Sequence, residues 1–319
     1  MEANHTDLSL IIPVSAKDTD SVNKNLDRIN RNLDIKEIYI IGKKDLKEKI
    51  INADKVHFID ENTMIPSLTF ETVKKIILSR YPKAVRRTGW YFQQFLKLGF
   101  AYISETEYYL TWDSDTIPLK HLSMFNHNGV PYLDCRKYEK ADEPYFLTIQ
   151  NLWSDGSVKK NDFNSYITEH MIFSRKIVKE MLSEIMNNSA LRGDTFFEKI
   201  LNAVPIKELN LSGFSEFETY ATYLINKKPC EYEFRRWKNL RHGKSFFGIN
   251  PTEKQLRWAS EFFDAISIED FDSHMLICRW LCNEKFTEKH SFERIYKKIQ
   301  PVIDIKYCVR MALRNIIGR

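Results

Sequence analysis

Two aspartates separated by one serine, Asp113 and Asp115 in "YYLTWDSDTIPL", are the residues whose types and spacing most readily do chemistry. They stand where a run of strand-forming residues stops. Side chains two apart on an extended chain point the same way, so two such carboxylates repel unless a cation lies between them or water screens them. A hard divalent ion, Mg2+ or Mn2+, suits these oxygen ligands and commonly divides its coordination between one or two carboxylates and substrate phosphates. Asp-Ser-Asp-Thr is also good turn chemistry; the apolar flanks on both sides favour metal and phosphate. A second group lies in "LSGFSEFETYATYLINKKP". Ser215, with Glu218 three residues on, matches a capping box and sets a helix start near Glu216. Glu216 and Glu218 then stand in a first helical turn, where acids offset the helix dipole and where one can act as a general base.

Two further stretches contribute. In "SYITEHMIFS", Glu169 and His170 precede a strand-like run, although a lone histidine is more often a structural residue. In "FRRWKNLRHGKSFFG", His242 lies among Arg235, Arg236, Arg241 and Lys244, a cluster of cations around one histidine. Trp237 and Phe246 interleave with them as in a single-strand nucleic-acid site. The stretch is short and its neighbours in 211–233 are acidic, so no nucleic-acid partner is expected.

These residues need a scaffold. At 319 residues, 43% apolar and 13% aromatic, the chain can hold one large α/β domain with an appendage, or two small domains. "LSLIIPV" (8–14) is a nearly continuous apolar run, as a buried parallel strand requires. "DTDSVNKNLDRINRNL" follows with helical spacing at Val22, Leu26, Ile29 and Leu33. "IKEIYIIG" (35–42) and "KVHFID" (55–60) read as strands, "FETVKKIILSRYP" as a helix broken by Pro82, "GWYFQQFLKLGFAYIS" (89–104) as another helix, and "EYYLTWD" as the fourth strand. This alternation predicts an α/β fold with a mainly parallel sheet flanked by helices. Ligands of such sheets bind at the carboxyl ends of the strands, where Asp113 and Asp115 come.

The "LSLIIPV" strand, the "GWYFQQFLKL" helix and "YYLTWDSDTIPL" together resemble the nucleotide-sugar-binding half of a GT-A glycosyltransferase. More narrowly, they resemble bacterial GT-A-like proteins with a Gly-Trp-Tyr-x-Gln-Gln helix before the D-x-D strand, a group associated with lipopolysaccharide, O-antigen or capsule assembly. The resemblance covers roughly residues 7–250. It implies a GT-A catalytic domain over 1–250, with a nucleotide-sugar half (1–120) and an acceptor half (121–250), followed by a helical basic extension over 251–319. It implies a nucleotide-sugar donor, UDP by family default, bridged to the protein through Mn2+ or Mg2+, and a glycan or lipid-linked acceptor. Asp115 would be the direct metal ligand, and Asp113 would meet the ribose, or the metal through water. His242 would complete the metal site. Pro13, Val14 and Ser15 would line the base and ribose pocket. Arg86, Arg87, Gln93, Gln94 and Lys97 would reach the phosphates or brace the loop around Ser114, with one of the two glutamines facing the site. Glu169 and His170 would contact the acceptor or the donor sugar, and the cations around His242 would meet the departing nucleoside diphosphate. An inverting transfer would use Glu216 as its base by preference, with Glu218 the capping or sugar-binding partner; a retaining enzyme would not need a base.

Other classes fit less well. A haloacid-dehalogenase-type phosphatase places D-x-D-x-T/V after its first strand, whereas here the strand is the fourth and the fifth position is Ile117. A non-catalytic sugar-nucleotide-binding or membrane scaffold of the same fold would not need both acids. His274, Cys278 and Cys282 fall on one helix face but lack a fourth zinc ligand, which favours a core stripe. Five dispersed cysteines argue against a disulfide framework, and the start lacks the pattern of a signal peptide. A reducing, cytosolic location is expected, with the sequons at Asn4, Asn187 and Asn210 unglycosylated. From Lys285 to Arg319 there are nine Lys/Arg against three acids. With Arg310 and Arg314 one turn apart among apolar residues, this tail suits peripheral contact with an anionic inner leaflet.

Overall fold

The computed structural model describes residues 7–270 and 272–317, without the side chains of 284, 285 and 310–317. Asn4 and the side chains of Lys285, Arg310, Arg314 and Arg319, all named above, therefore lie outside the described residues.

In chain order the structure runs β1 (Leu8–Pro13), α1 (Thr19–Asn32), β2 (Glu37–Gly42), β3 (Val56–Asp60), α2 (Phe70–Arg80), α3 (Thr88–Gly99), β4 (Tyr108–Trp112), β5 (Thr116–Pro118) and β6 (Tyr132–Lys137). It continues with α4 (Glu143–Leu152), β7 (Asn164–Ser165), β8 (His170–Ser174), α5 (Arg175–Asn187), α6 (Phe196–Ala203), α7 (Glu216–Lys227), β9 (Glu233–Arg236) and β10 (Asn239–Leu240). Last come α8 (Gly243–Phe247), α9 (Glu253–Ser260), β11 (Ala265–Ser267), α10 (Leu276–Leu281), α11 (Glu284–Thr287) and α12 (Phe292–Ile317). The chain divides into two compact units, the first formed by the chain up to Ser114 with Ser123–Trp237, the second by Asp115–Leu122 with the chain from Lys238 on.

The first unit is an α/β layer structure. Every residue of β1 is buried, which is why that strand is apolar throughout and does not alternate. β1 pairs in parallel with β2 on one side and β4 on the other, and β2 with β3. β8 closes the sheet antiparallel to β4, giving the order β3-β2-β1-β4-β8. The chain thus steps outward from β1 to β3 and returns on the opposite side of β1. That reversal leaves a crevice over the carboxyl ends of β1 and β4, the place where open α/β sheets bind ligands. α1 turns Val22, Leu26 and Ile29 inward, the face its spacing predicts. α3 ends at Gly99, and Phe100–Tyr102 tighten into a 3-10 turn, earlier than the stop at 104 expected from periodicity. A Cβ on Gly99 would come 3.0 Å from Ile65 Cγ1, so the glycine lets α3 pack closely on Ile65. Tyr109, Phe95, Phe173, Phe197 and Phe214 are fully buried in the core behind the crevice. A small sheet, β7-β6-β9, completes the unit.

The second unit is built on a short sheet ordered β10-β11-β5, with β10 parallel and β5 antiparallel to β11. Phe246, Phe247, Trp258, Phe263 and Phe292 form its core, with Cys278 and Cys282 packed among them. Sequence reading placed a boundary at 250. The change of unit comes at Trp237–Lys238, because β10 follows directly and its partner β11 also draws in β5 from far upstream.

Phe173 lies between Tyr109, Phe217 and Tyr220, with ring centroids 5.4, 6.2 and 4.6 Å away. Replacing it with alanine removes an aromatic side chain from a close-packed core. Phe173→Ala is expected to lower unfolding free energy by about 3–5 kcal/mol, read as a shift of the urea midpoint with little change in slope.

Candidate active site

α3 delivers two side chains to one place. Gln94 and Lys97 are three residues apart, on one helical face, and both are buried. Lys97, with 3% of its side chain exposed, donates to Asp113 Oδ1 at 2.6 Å and to Glu216 Oε1 at 2.8 Å. Gln94 Oε1 accepts the backbone N–H of Glu216 at 3.1 Å, and its Nε2 donates to the Trp90 carbonyl. The glutamine therefore serves one of the orphan N–H groups of the α7 N-terminus, while the lysine binds the first carboxylate of that helix. Gln93 is half-buried. Asp113 is one-third exposed on the lip of the β1–β4 crevice, and its N–H is held by the Glu169 carbonyl at 2.9 Å. Glu169 carries φ +63°, a left-handed backbone that costs a non-glycine residue about 1–2 kcal/mol. Such local strain is commonly retained at functional positions.

Electrostatics follow from burial. Burial alone would strip Lys97 of its charge, but Asp113 and Glu216 outweigh it and raise the lysine above its ordinary value. Burial pushes the Glu216 carboxyl upward against the pull of Lys97, and the like charge of Asp113 adds to the rise. The two directions disagree about one contact. Two carboxylates within 2.8 Å of a single ammonium favour the ion-paired state, in which the trio carries one net negative charge. Glu218 differs from Glu216. It is fully buried, and both its oxygens are used, one by Lys160 at 2.6 Å and the other by the Tyr166 N–H at 3.0 Å. Ser215 caps α7 by accepting the Glu218 N–H at 3.2 Å, but the reciprocal half of the expected capping box is missing because Lys160 draws the Glu218 carboxylate away.

His170, expected at a sugar contact, instead sits in an internal network. Its Nε2 is 2.8 Å from Asp134 Oδ2 and its Nδ1 2.9 Å from the Thr168 carbonyl. Both partners accept only, so both ring nitrogens carry hydrogen if both contacts are hydrogen bonds. Arg235 donates to both oxygens of Asp134, at 2.6 and 2.7 Å. Burial works to raise the Asp134 pKa, but Arg235 and His170 hold it below the usual carboxylate range. The His170 ring also lies 4.2 Å from that of Trp237. Asp134 and Lys160 are charges of this site that motif reading missed; neither stands in a spacing that signals chemistry.

The remaining expected residues are scattered around the unit. Pro13 and Val14 end β1 in the core, with Val14 donating to the Ile41 carbonyl at 2.8 Å. Ser15 is exposed and donates to Asp18 at 2.6 Å. Arg86 donates to Asn210 at 3.2 Å, and Arg87 lies 4.0 Å over the Trp90 ring, its pKa lowered by burial. Ser114, half-buried, is the last residue of the first unit at that point of the chain.

In the second unit, Asp115 and His242 flank the same residue. Asp115 gives its carbonyl to the Ile268 N–H at 2.8 Å, and His242 bridges Ile268 from the β10 side. Two strand spacings put their Cα atoms roughly 10 Å apart. Thr116 donates to Asp115 Oδ1 at 3.3 Å. The His242 ring stacks on Tyr307 at 4.1 Å, and its buried Nδ1 has no hydrogen-bond partner. Burial pushes its pKa down to about 4, so the ring is neutral near pH 7, the state a metal ligand requires. Among the described residues no three His, Cys, Asp or Glu side chains gather as a metal cage. A carboxylate and a neutral imidazole fit a hard divalent cation that takes its other ligands from phosphate and water.

The model of a family of unknown function, DUF6492, matches residues 5–233, most of the chain, and the chain belongs to that family. No curated protein matches it. Among solved structures it is similar to mouse xyloside xylosyltransferase 1 in its apo form, with a TM-score of 0.39 and 10% identity over 83% of this chain and 98% of that one. That likeness is too loose to carry an argument about activity. Among the described residues no helix is long and apolar enough to cross a membrane.

Two outcomes are expected from the buried charges. Lys97→Met strands two carboxylates and should cost about 3–5 kcal/mol in urea unfolding; adding Glu216→Gln should restore part of it. Asp134 has a depressed folded pKa, so its contribution is complete above the unfolded value near 3.9 and is lost as pH falls through the lower folded value. Melting of the wild type and of Asp134→Asn should differ at neutral pH and converge in acid. A constant difference across that range would show that Asp134 is not held as an ionised partner.

Proposed function

We propose that this member of the DUF6492 family is a GT-A-type glycosyltransferase that moves a sugar from a nucleotide sugar to a hydroxyl acceptor. One observation supports the reading most: Asp113 stands on the lip of the β1–β4 crevice and is joined there through Lys97 to Glu216, the first residue of α7. A strand-end aspartate in a D-x-D, with a second carboxylate held close by, suits a site that binds a ribosyl diphosphate and also accepts a proton. Ser15, exposed two residues past the end of β1, suits the nucleoside, with Val14 buried behind it. Asp115 and His242 are the residues that would hold Mn2+ or Mg2+. When bound, the cation would supply Lewis-acid charge on the diphosphate as the glycosidic bond breaks.

Glu216 is the base in this reading, with Glu218 taken up internally by Lys160 and Tyr166. Burial raises the Glu216 carboxyl toward the range in which it can take a proton from an acceptor hydroxyl. Lys97 positions it and holds Asp113 in register. The acceptor is proposed to be a lipid-linked or polysaccharide glycan of the bacterial surface, and the donor a UDP-sugar. A second reading, retention without a base, is favoured by the same contact, since a glutamate committed to Lys97 is less free to act.

Calorimetric titration with UDP and other nucleoside diphosphates, with and without Mn2+, tests the donor site. Binding is expected to require the metal, to weaken at least about tenfold in Asp115→Ala and to identify the base. Binding that ignores both metal and Asp115 would remove the metal assignment. With a donor in hand, Glu216→Gln should lower turnover by about 10²–10⁴ while diphosphate affinity stays unchanged. Full turnover in that variant, with retained anomeric configuration by NMR, would select the second reading.

A further inference from the structure

α10 is only six residues long, yet Leu276, Ile277 and Trp280 are 78%, 48% and 67% exposed. The core takes Cys278 and Cys282 from this segment, as the core-stripe reading expects, and leaves Trp280 outside, its ring 5.9 Å from that of Phe286. Arg279, also exposed, lies between Ile277 and Trp280. α12, in the same unit, repeats the arrangement. It buries Phe292, Ile295, Ile299 and Ile303, yet leaves Val302, Ile305 and Val309 44%, 64% and 53% exposed.

Charge on α12 is sorted by face. At 100° per residue, Arg294, Lys298, Val302, Ile305 and Val309 fall within an arc of about 80°. Both cations are exposed, and among the described residues neither pairs with an acid. The acids lie on the far side, where Glu293 pairs with Lys297 at 2.7 Å and Asp304 accepts from Gln300 at 2.8 Å. The outward stripe of α12 is therefore apolar residues with uncompensated cations, and α10 in the same unit exposes a leucine, an isoleucine and a tryptophan. That mixture matches what lies at a membrane surface: apolar groups and a tryptophan at headgroup depth, cations against anionic headgroups.

We propose that residues 276–309 form a docking surface for an anionic lipid bilayer, contacted peripherally. A second copy of the chain is the weaker occupant. A two-fold contact sets the same patch against itself, and Arg294 and Lys298 would then face their own copies. The proposal does not depend on the catalytic reading.

The full chain is sedimented with phosphatidylcholine vesicles and with vesicles that also contain phosphatidylglycerol, at low and high salt. Binding is expected only to the anionic vesicles and to fall as salt rises. Arg294→Glu with Lys298→Glu should weaken it about tenfold or more, and Leu276→Ser with Trp280→Ser should abolish it, with near-UV dichroism and melting showing both variants folded. Equal binding to both vesicle types, no binding by the wild type, or unchanged binding in both variants overturns the proposal. A dimer in solution that Leu276→Ser with Trp280→Ser dissolves overturns it too, and assigns the surface to a second copy.

Discussion

A single ammonium group, Lys97 Nζ, sits between two carboxylates with almost no water around it, and the arrangement of the first unit turns on that contact. Taking any one of these charges out of water costs several kcal/mol, and the cost is offset only when partners arrive at hydrogen-bond distance. The end of β4, the last turns of α3 and the first turn of α7 must therefore meet within an ångström or so, or three charges are left stranded. Gln94, one turn back on the same face of α3, uses the first N–H of α7 for a second attachment. The positive end of the α7 dipole adds to the hold on Glu216. A helix that supplies both links acts as a spacer between strand end and helix start, fixing Asp113 and Glu216 relative to each other.

The network one strand farther along works in the same way. Asp134, His170 and Arg235 come from β6, β8 and β9 and bring one negative charge to two groups that can each be positive. They pin the small sheet to β8, whose preceding residue, Glu169, is forced into the left-handed region while its carbonyl holds the Asp113 N–H. Buried charge and backbone strain thus converge on one aspartate. A local sequence preference would not produce such a convergence, because each part costs free energy alone.

How much of this was legible in the sequence depends on the range of the interaction. β1, α1, β2, β3 and β4 lie within a residue or two of their expected bounds because hydrophobic period is local, and α7 starts at Glu216 because Ser215 caps it. Lys97 was visible as a cation on the right helix, but its partner Glu216 is 119 residues away and nothing in the sequence joins them. Glu218 looked like half of a capping box, and only the folded chain shows Lys160 taking it. β5 and β11 have three residues each, too few for any period, so the second unit's sheet and its claim on 115–122 were not readable. His170 looked chemical because it is a histidine beside a glutamate; its charged partner, Asp134 in β6, is 36 residues away.

The two aspartates that drew attention first are not equivalent. Alternation along a strand would set their side chains parallel, but β4 stops at Trp112 and β5 begins at Thr116, so both lie between strands. Each is fixed by a different neighbour: Asp113 by Glu169 and Lys97, Asp115 by Ile268 and Thr116. Asp113 already has a cation within hydrogen-bond distance in Lys97, although it shares that charge with Glu216. Any requirement for a metal then rests on Asp115, together with a histidine that burial keeps neutral and whose Nδ1 has no partner. Asp113 shares the one charge of Lys97 with Glu216, so that trio keeps one net negative charge. The two acids of the D-x-D therefore differ in which of the chain's own groups hold them, a lysine at Asp113 and a hydroxyl at Asp115.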